Sequence, residues 1–138
     1  DKINLNGNEY EIVERGITYK KEDFGISEKL VKYDFVTPWF ALNQRNHRKY
    51  LSSDRDQQVE LLRKNLVGNM LSMSKSLDYQ VPDKIKCHTE LQERSSSLKG
   101  NEILAFKGFF VTNFQIPDYL GLGKSVSRGF GTVKRCNS

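Results

Sequence analysis

Near its C-terminal end the chain carries a glycine-rich, cationic segment, GLGKSVSRGFG at residues 121–131. Glycines lack a Cβ atom, so backbone N–H groups can come close to a phosphate chain, while the cations of the segment add positive charge. Phe130 offers a hydrophobic anchor or a stacking face. This chemistry suits an extended polyanion such as RNA or DNA, and a glycine-rich crossover that packs on a sheet is the alternative.

The GKS triplet in this segment does not complete a nucleotide-binding loop. A P-loop requires glycine at position 118, where Asp118 stands, and a long helix directly after the triplet. The residues that follow, VSRGFGTV, are glycine-rich and β-branched and do not favour such a helix. A dinucleotide fingerprint needs the same helix and an acidic residue further along the chain. The pattern therefore argues against an NTPase or dinucleotide site.

The distribution of charge supports a phosphate-bearing partner. The net charge is +5, and residues 119–138 contain four cations and no carboxylate. A basic patch on glycine-rich backbone is typical of nucleic-acid binding, although a solvated basic end is the alternative.

Residues suited to metal or redox chemistry are few. Cys87 and Cys136 lie far apart with no CxxC pair, and His47 and His88 are the only histidines. A zinc site would need all four side chains to converge, so we expect thiols without a disulfide, no metal and no cofactor. The chain has no run of about 18 apolar residues, so we expect no membrane partner.

The elements that must position the glycine-rich segment are strands and one long helix. The helix is predicted at residues 54–78, where Val59, Leu62, Leu66, Met70, Met73 and Leu77 form one apolar stripe and Asp54 and Gln57 form a capping box. Mid-helix Gly68 and Asn69 suggest close packing. Alternation or β-forming composition predicts strands at 10–19 (with a bulge at Gly16), 30–42, 85–94, 102–116 and 131–135. Residues 20–29 read as a loop and 95–101 as a turn.

From residue 30 onward the order of elements is close to βαββαβ, with the second helix reduced to a turn. The predicted fold is α+β and ferredoxin-like (RRM-like), with an antiparallel sheet, one main helix and a C-terminal glycine-rich loop. Residues 30–138 would form this domain. Residues 1–29 are expected to be a linker or the tail of an upstream ferredoxin-like domain, and the start at Asp1 suggests a processed or trimmed piece.

Three blocks of the sequence resemble one protein family. They are LGLGKSVSRGFGTV, FVTPWFALNQRNHRKY at 35–50 and LVGNMLSMSKSL at 66–77. Together they resemble the C-terminal domain of the CRISPR repeat-processing endoribonucleases, the sixth Cas family of the RAMP superfamily. The likeness covers about residues 30 to 135, and three blocks in the expected order are more specific than the loop alone.

The resemblance implies a prokaryotic, cytoplasmic protein that binds and cuts CRISPR precursor RNA within each repeat without a metal. The 2′-hydroxyl of the RNA would attack the adjacent phosphate and leave a 2′,3′-cyclic phosphate, with a general base taking the proton and a cation stabilising the phosphorane. In much of the family the catalytic histidine lies in the first domain, so we expect this chain to bind RNA and to cleave poorly or not at all.

His47 is the local candidate for a catalytic base, on a predicted turn where Lys or Tyr50 could assist it, and a surface residue or a phosphate contact is the alternative. Trp39 and Phe40 are expected in the core, although they could stack on bases. The predicted RNA-binding residues are Gly121, Gly123, Lys124, Ser125, Arg128, Gly129, Gly131, Lys134, Arg135, Arg45, Arg48 and Lys49.

Two other functions remain open from the sequence. One is a non-catalytic RAMP subunit that grips RNA in a CRISPR effector complex, and the other is an RRM-like protein-interaction domain without RNA affinity. The expected partners are CRISPR repeat RNA, other Cas proteins and a second copy of the chain as a homodimer.

Overall fold

The computed structural model describes residues 24–136 in full, together with the backbone of three short strands before them. These strands, β1 (Lys2–Leu5), β2 (Asn8–Ile12) and β3 (Thr18–Lys20), form an antiparallel sheet in the order β1-β2-β3. The strand predicted at 10–19 is therefore wrong as one continuous strand. Its proposed bulge at Gly16 lies outside the described residues.

A second sheet of four antiparallel strands organises the remaining chain. The strands are β4 (Gly25–Phe35), β5 (Cys87–Leu98), β6 (Asn101–Gln115) and β7 (Val133–Arg135), in the spatial order β5-β6-β4-β7. Two helices, α1 (Gln44–Leu51) and α2 (Arg55–Ser76), connect β4 to β5, and a single 3₁₀ turn at Val126–Arg128 lies between β6 and β7. This is the strand order of a ferredoxin-like unit that lacks its second long helix, which confirms the predicted α+β fold.

Several predicted boundaries were wrong. Residues 25–29 belong to β4 rather than to a loop, and β4 ends at Phe35 rather than at 42. The turn predicted at 95–101 shrinks to Lys99 and Gly100, because β5 and β6 stay paired from Cys87↔Thr112 to Leu98↔Asn101. Serine-rich sequence has little strand preference of its own, so here the partner strand decides the conformation.

Helix α1 was missed because its sequence has no apolar periodicity. Its first turn is capped by Asn43, whose side-chain oxygen accepts a hydrogen bond from the Asn46 N–H at 2.8 Å. Only Tyr50 among its eight residues is buried. An asparagine cap was the one local signal of a helix start in this stretch.

Helix α2 follows its prediction closely. Asp54 Oδ1 accepts from the Gln57 N–H at 2.8 Å, and Gln57 Oε1 accepts from the Asp54 N–H at 3.1 Å, which completes the capping box. Leu62, Leu66 and Met70 are buried against the sheet, whereas Val59 is exposed and stands outside the stripe.

The core between the helices and the sheet is rich in aromatic rings. The rings of Phe35 and Trp39 are stacked at 5.3 Å between centroids, and Trp39 is fully buried. Its indole N–H donates to Asn69 Oδ1 at 2.9 Å, so the mid-helix asparagine satisfies a buried donor. The prediction that Trp39 belongs to the core is confirmed.

Gly68 has no comparable role, and replacing it with alanine should stabilise the protein. A Cβ atom at this position would meet nothing within 4 Å, so the predicted close packing is wrong here. Gly68→Ala is expected to raise the free energy of unfolding by about 1 kcal/mol, because alanine has the higher helix propensity. Urea unfolding would measure the gain. Ser72→Ala on the same helix should gain less, and an unchanged or lower stability for Gly68→Ala would contradict the prediction.

Candidate nucleic-acid interface

The glycine-rich segment folds back on itself beside β7. The Leu122 N–H donates to the Gly131 carbonyl at 2.9 Å, and the Val133 N–H donates to the Leu120 carbonyl at 3.1 Å. The 3₁₀ turn closes the tip of this crossover. The segment is therefore a compact folded crossover and not an open loop. We call residues 121–131 the glycine-rich plate.

The plate is tied to the core just after β4. The Gly131 N–H donates to the Pro38 carbonyl at 2.8 Å, and the Lys124 N–H donates to the Phe40 carbonyl at 2.9 Å. Phe130 is buried and its ring lies 6.0 Å from that of Phe40, so it is an anchor and not a stacking face. These contacts fix the base of the Lys124 side chain against the domain.

The glycines of the plate have packing roles that sequence alone did not assign. Gly123 has φ +89°, and a Cβ atom there would lie 2.6 Å from the Trp39 indole nitrogen and 2.8 Å from the Phe40 carbonyl. The N–H groups of Gly129 and Gly131 already donate to backbone carbonyls. Within residues 24–136 the N–H groups of Gly121 and Gly123 donate to no protein acceptor. Contact with an anion would therefore rely mainly on side chains, with these two backbone donors beside them.

The structure brings Lys124 and His47 to one groove of about 260 Å³. We call it the lysine–histidine groove. It lies between the start of α1, the beginning of β6 and the glycine-rich plate, with the apolar side chains of Leu42, Ile103 and Leu104 along its wall. The Lys124 ammonium stands 4.7 Å from the centre of the Phe40 ring, a cation–π distance that holds the charge at the rim.

Sequence reasoning missed other members of this groove. Asn43, Gln44 and Glu102 also border it. The helix cap at Asn43 could have been found from residue type. Glu102 was placed on the predicted strand, but no local signal showed that this strand starts beside α1 and the plate.

Lys124 also borders a second groove, of about 440 Å³, between the plate and α2. Its helix side is formed by Asn69, Ser72, Met73 and Ser76. One cation thus borders two surface grooves.

The predicted cations of α1 are all exposed, and the helix contains no acidic residue. His47 lies within α1 and not on a turn, which corrects the sequence expectation. Tyr50 cannot assist it, because Tyr50 is fully buried and its hydroxyl donates to Glu93 Oε2 at 2.6 Å. Burial first, and then this hydrogen bond, raise the pKa of Tyr50 well above its usual range.

Lys134 and Arg135 do not join the lysine–histidine groove. In the register of β4 and β7, Lys134 lies opposite exposed Asp34 on the sheet face away from the helices. Its ammonium lies 5.6 Å from the centre of the Tyr119 ring. A hydrogen bond with Tyr119 raises the pKa of Lys134. The Arg135 N–H donates to Asp118 Oδ1 at 2.8 Å, beside a separate cavity of about 250 Å³.

The part of the chain that the structure describes shows no metal-binding cluster of His, Cys, Asp or Glu side chains. Neither cysteine forms a disulfide. Burial raises the pKa of the Cys87 thiol to about 12, and burial followed by a hydrogen bond with Asp34 raises that of Cys136. Among the described helices, none combines the length and the apolar character needed to cross a membrane.

A ferredoxin-like α+β domain with a cationic, glycine-rich crossover is the class of protein that this geometry defines. The chain belongs to the Cas6b C-terminal domain family, whose family model matches residues 25–136. That match confirms the resemblance to the sixth Cas family.

Two solved structures share this fold closely. One is a crystal structure of Cas6b and the other a crystal structure of the CRISPR RNA processing endoribonuclease Cas6b. Each is 45% identical to this chain with a TM-score of 0.82, and each comparison covers 87% of this chain. The chain spans only 63% and 62% of the lengths of those two chains. An uncharacterized protein of Methanocaldococcus jannaschii is 47% identical over 97% of this chain and 92% of its own length.

Proposed function

We propose that this chain binds CRISPR repeat RNA and serves as the RNA-binding part of a CRISPR RNA processing endoribonuclease. The observation that carries the proposal is the lysine–histidine groove, which Lys124 of the glycine-rich plate and His47 of α1 both line, on a domain of the Cas6b family. Phosphate contacts by cations dominate RNA affinity, and Lys124 stands where it can contact an RNA strand in either of its two grooves.

In this proposal the four-stranded sheet and its two helices act as one ferredoxin-like RAMP domain. The boundary expected at residue 30 moves back to the start of β4 at Gly25, and the segment before it belongs to an upstream unit. The RNA is cleaved when its 2′-hydroxyl attacks the adjacent phosphate. The products are a 2′,3′-cyclic phosphate and a 5′-hydroxyl, and the reaction needs no metal. A base outside this domain accepts the 2′-hydroxyl proton. Lys124, Arg128 and the cations of α1 neutralise phosphates and hold the strand in place.

A non-catalytic role in gripping RNA within an effector complex is the second candidate. It is favoured by one observation: within residues 24–136 the His47 ring has no hydrogen-bond partner, although a catalytic base is ordinarily oriented by a third group. In that role the further partners would be other Cas proteins or a second copy of this chain.

Incubation with labelled repeat RNA in EDTA tests the role of His47. We expect the chain to bind the RNA without cutting it, and His47→Ala to weaken binding only about three-fold, as for one exposed contact. The matched control is His88→Ala, because His88 is exposed on β5, outside the groove. Cleavage in EDTA that His47→Ala abolishes and His88→Ala preserves would identify His47 as the base and contradict the binding-only role.

A further inference from the structure

A second cationic cavity lies on the helical layer, away from the lysine–histidine groove. It has a volume of about 300 Å³ and is formed where the end of α1 meets the first half of α2. Its lining residues are Lys49, Ser53, Gln57, Glu60, Leu61 and Lys64. We call this cavity the lysine cleft.

The charge in the lysine cleft is positive despite Glu60. Both Glu60 oxygens are held by Arg63, at 2.5 Å from Nη2 and 2.9 Å from Nε. Lys49 and Lys64 are exposed, and within residues 24–136 neither ammonium has an acidic partner within ion-pair distance. Gln57 uses its side-chain oxygen in the capping box, which leaves its NH₂ group as a donor. Two ammonium groups and an amide N–H group are donors of the kind that bind phosphate oxygens.

Helix α1 connects this cleft to the lysine–histidine groove. Successive residues turn by about 100° around an α-helix. Gln44 and His47 face the groove, and Lys49 faces the cleft. Arg45 and Arg48 project from the arc between those two sides, and both are exposed. The surface of α1 therefore carries positive charge continuously from one cavity to the other.

We propose that a single RNA strand crosses α1 along this arc and places a phosphodiester in the lysine cleft, next to Lys49 and Lys64. The inference rests on the proposed RNA-binding function and lengthens its site. A nucleic-acid strand fits the surface because its phosphates recur at regular intervals and would meet the cations of the groove, the arc and the cleft in turn. A free phosphate would use only the cleft.

The test compares Lys49→Gln/Lys64→Gln with Lys84→Gln/Lys86→Gln, a matched loss of two exposed lysines outside both cavities. Binding of a labelled single-stranded RNA several times longer than α1 is measured over a range of salt concentrations, and a trinucleotide is measured in parallel. The cleft variant should weaken binding of the long RNA about five- to ten-fold, and its salt slope should fall by about 0.7 for each lost phosphate contact. Trinucleotide binding should weaken less, because so short an RNA cannot occupy the lysine–histidine groove and the lysine cleft together.

Three results separate the possible failures. If the unmodified chain does not bind RNA, the proposed function and the proposed path of the RNA across α1 are both overturned. If Lys124→Gln weakens RNA binding but the cleft variant binds RNA as tightly as its control, only the proposed path across α1 is overturned. The third result combines an NMR titration with the RNA measurement. If inorganic phosphate shifts the signals of Ser53 and Lys64 while the cleft variant leaves RNA affinity unchanged, the cleft binds a free anion. The proposed path across α1 is then also overturned. Circular dichroism of each variant confirms that it is folded.

Discussion

Replacing Gly131 with alanine is expected to lower the free energy of unfolding by about 3 kcal/mol or more. Gly131 has φ +74°, and a Cβ atom there would lie 1.9 Å from the Leu122 carbonyl oxygen. The clash is with backbone on one side, while the Gly131 N–H is bonded to the Pro38 carbonyl on the other. A left-handed conformation costs alanine about 1–2 kcal/mol, and overpacking adds about 1–3 kcal/mol.

Gly129→Ala is the matched control for this prediction. Gly129 also has a positive φ, +92°, but a Cβ atom there would meet nothing within 4 Å. Gly129→Ala should therefore lower the free energy of unfolding only by the cost of a left-handed alanine, about 1–2 kcal/mol. Urea unfolding followed by circular dichroism gives both values. Equal unfolding midpoints for the two variants would show that the plate does not pack on the core as described.

Lys124→Gln is expected to weaken RNA binding about ten-fold and to lower the salt slope of binding by about 0.7, the effect of one lost phosphate contact on a single strand. Lys124 should matter more than other cations because it borders two grooves, and because its backbone is tied to Phe40. The glutamine variant keeps the backbone hydrogen bond, so the fold should be unaffected. Fluorescence anisotropy with labelled repeat RNA at several salt concentrations measures both quantities.

The control for Lys124→Gln is Lys84→Gln, which removes another exposed charge outside the grooves. A uniform effect of net charge predicts that the two variants lose affinity equally. Such equality would remove the special role of the lysine–histidine groove, and it would leave only a general attraction between a basic protein and RNA.

Local sequence patterns predicted the elements whose signals are local. The capping box at Asp54 and the apolar residues Leu62, Leu66 and Met70 placed α2 to within two residues. The alternation of Val31, Tyr33 and Phe35 identified the buried side of β4. These features repeat with the period of the helix or the strand, so a single segment reveals which side it buries.

Patterns that depend on a distant partner were misread. The serine-rich end of β5 is a strand only because β6 lies beside it, and α1 is a helix whose single buried residue, Tyr50, packs edge-on against Phe106. The role of Phe130 was left open, since a phenylalanine in a glycine-rich segment can face solvent or the core. No local period encodes these outcomes.

By itself the sequence determined the α+β class, the long helix, the excess of positive charge near the C-terminal end and the resemblance to a CRISPR RNA-processing family. Only the tertiary structure decided that Lys124 and His47 share a groove, that Lys134 faces the other side of the sheet and that Lys49 and Lys64 line one cavity. Charge and periodicity are properties of neighbouring residues, whereas a site requires residues from different elements to converge. That convergence is set by the pairing of β4 with β6 and β7 and by the packing of the helices on their shared face.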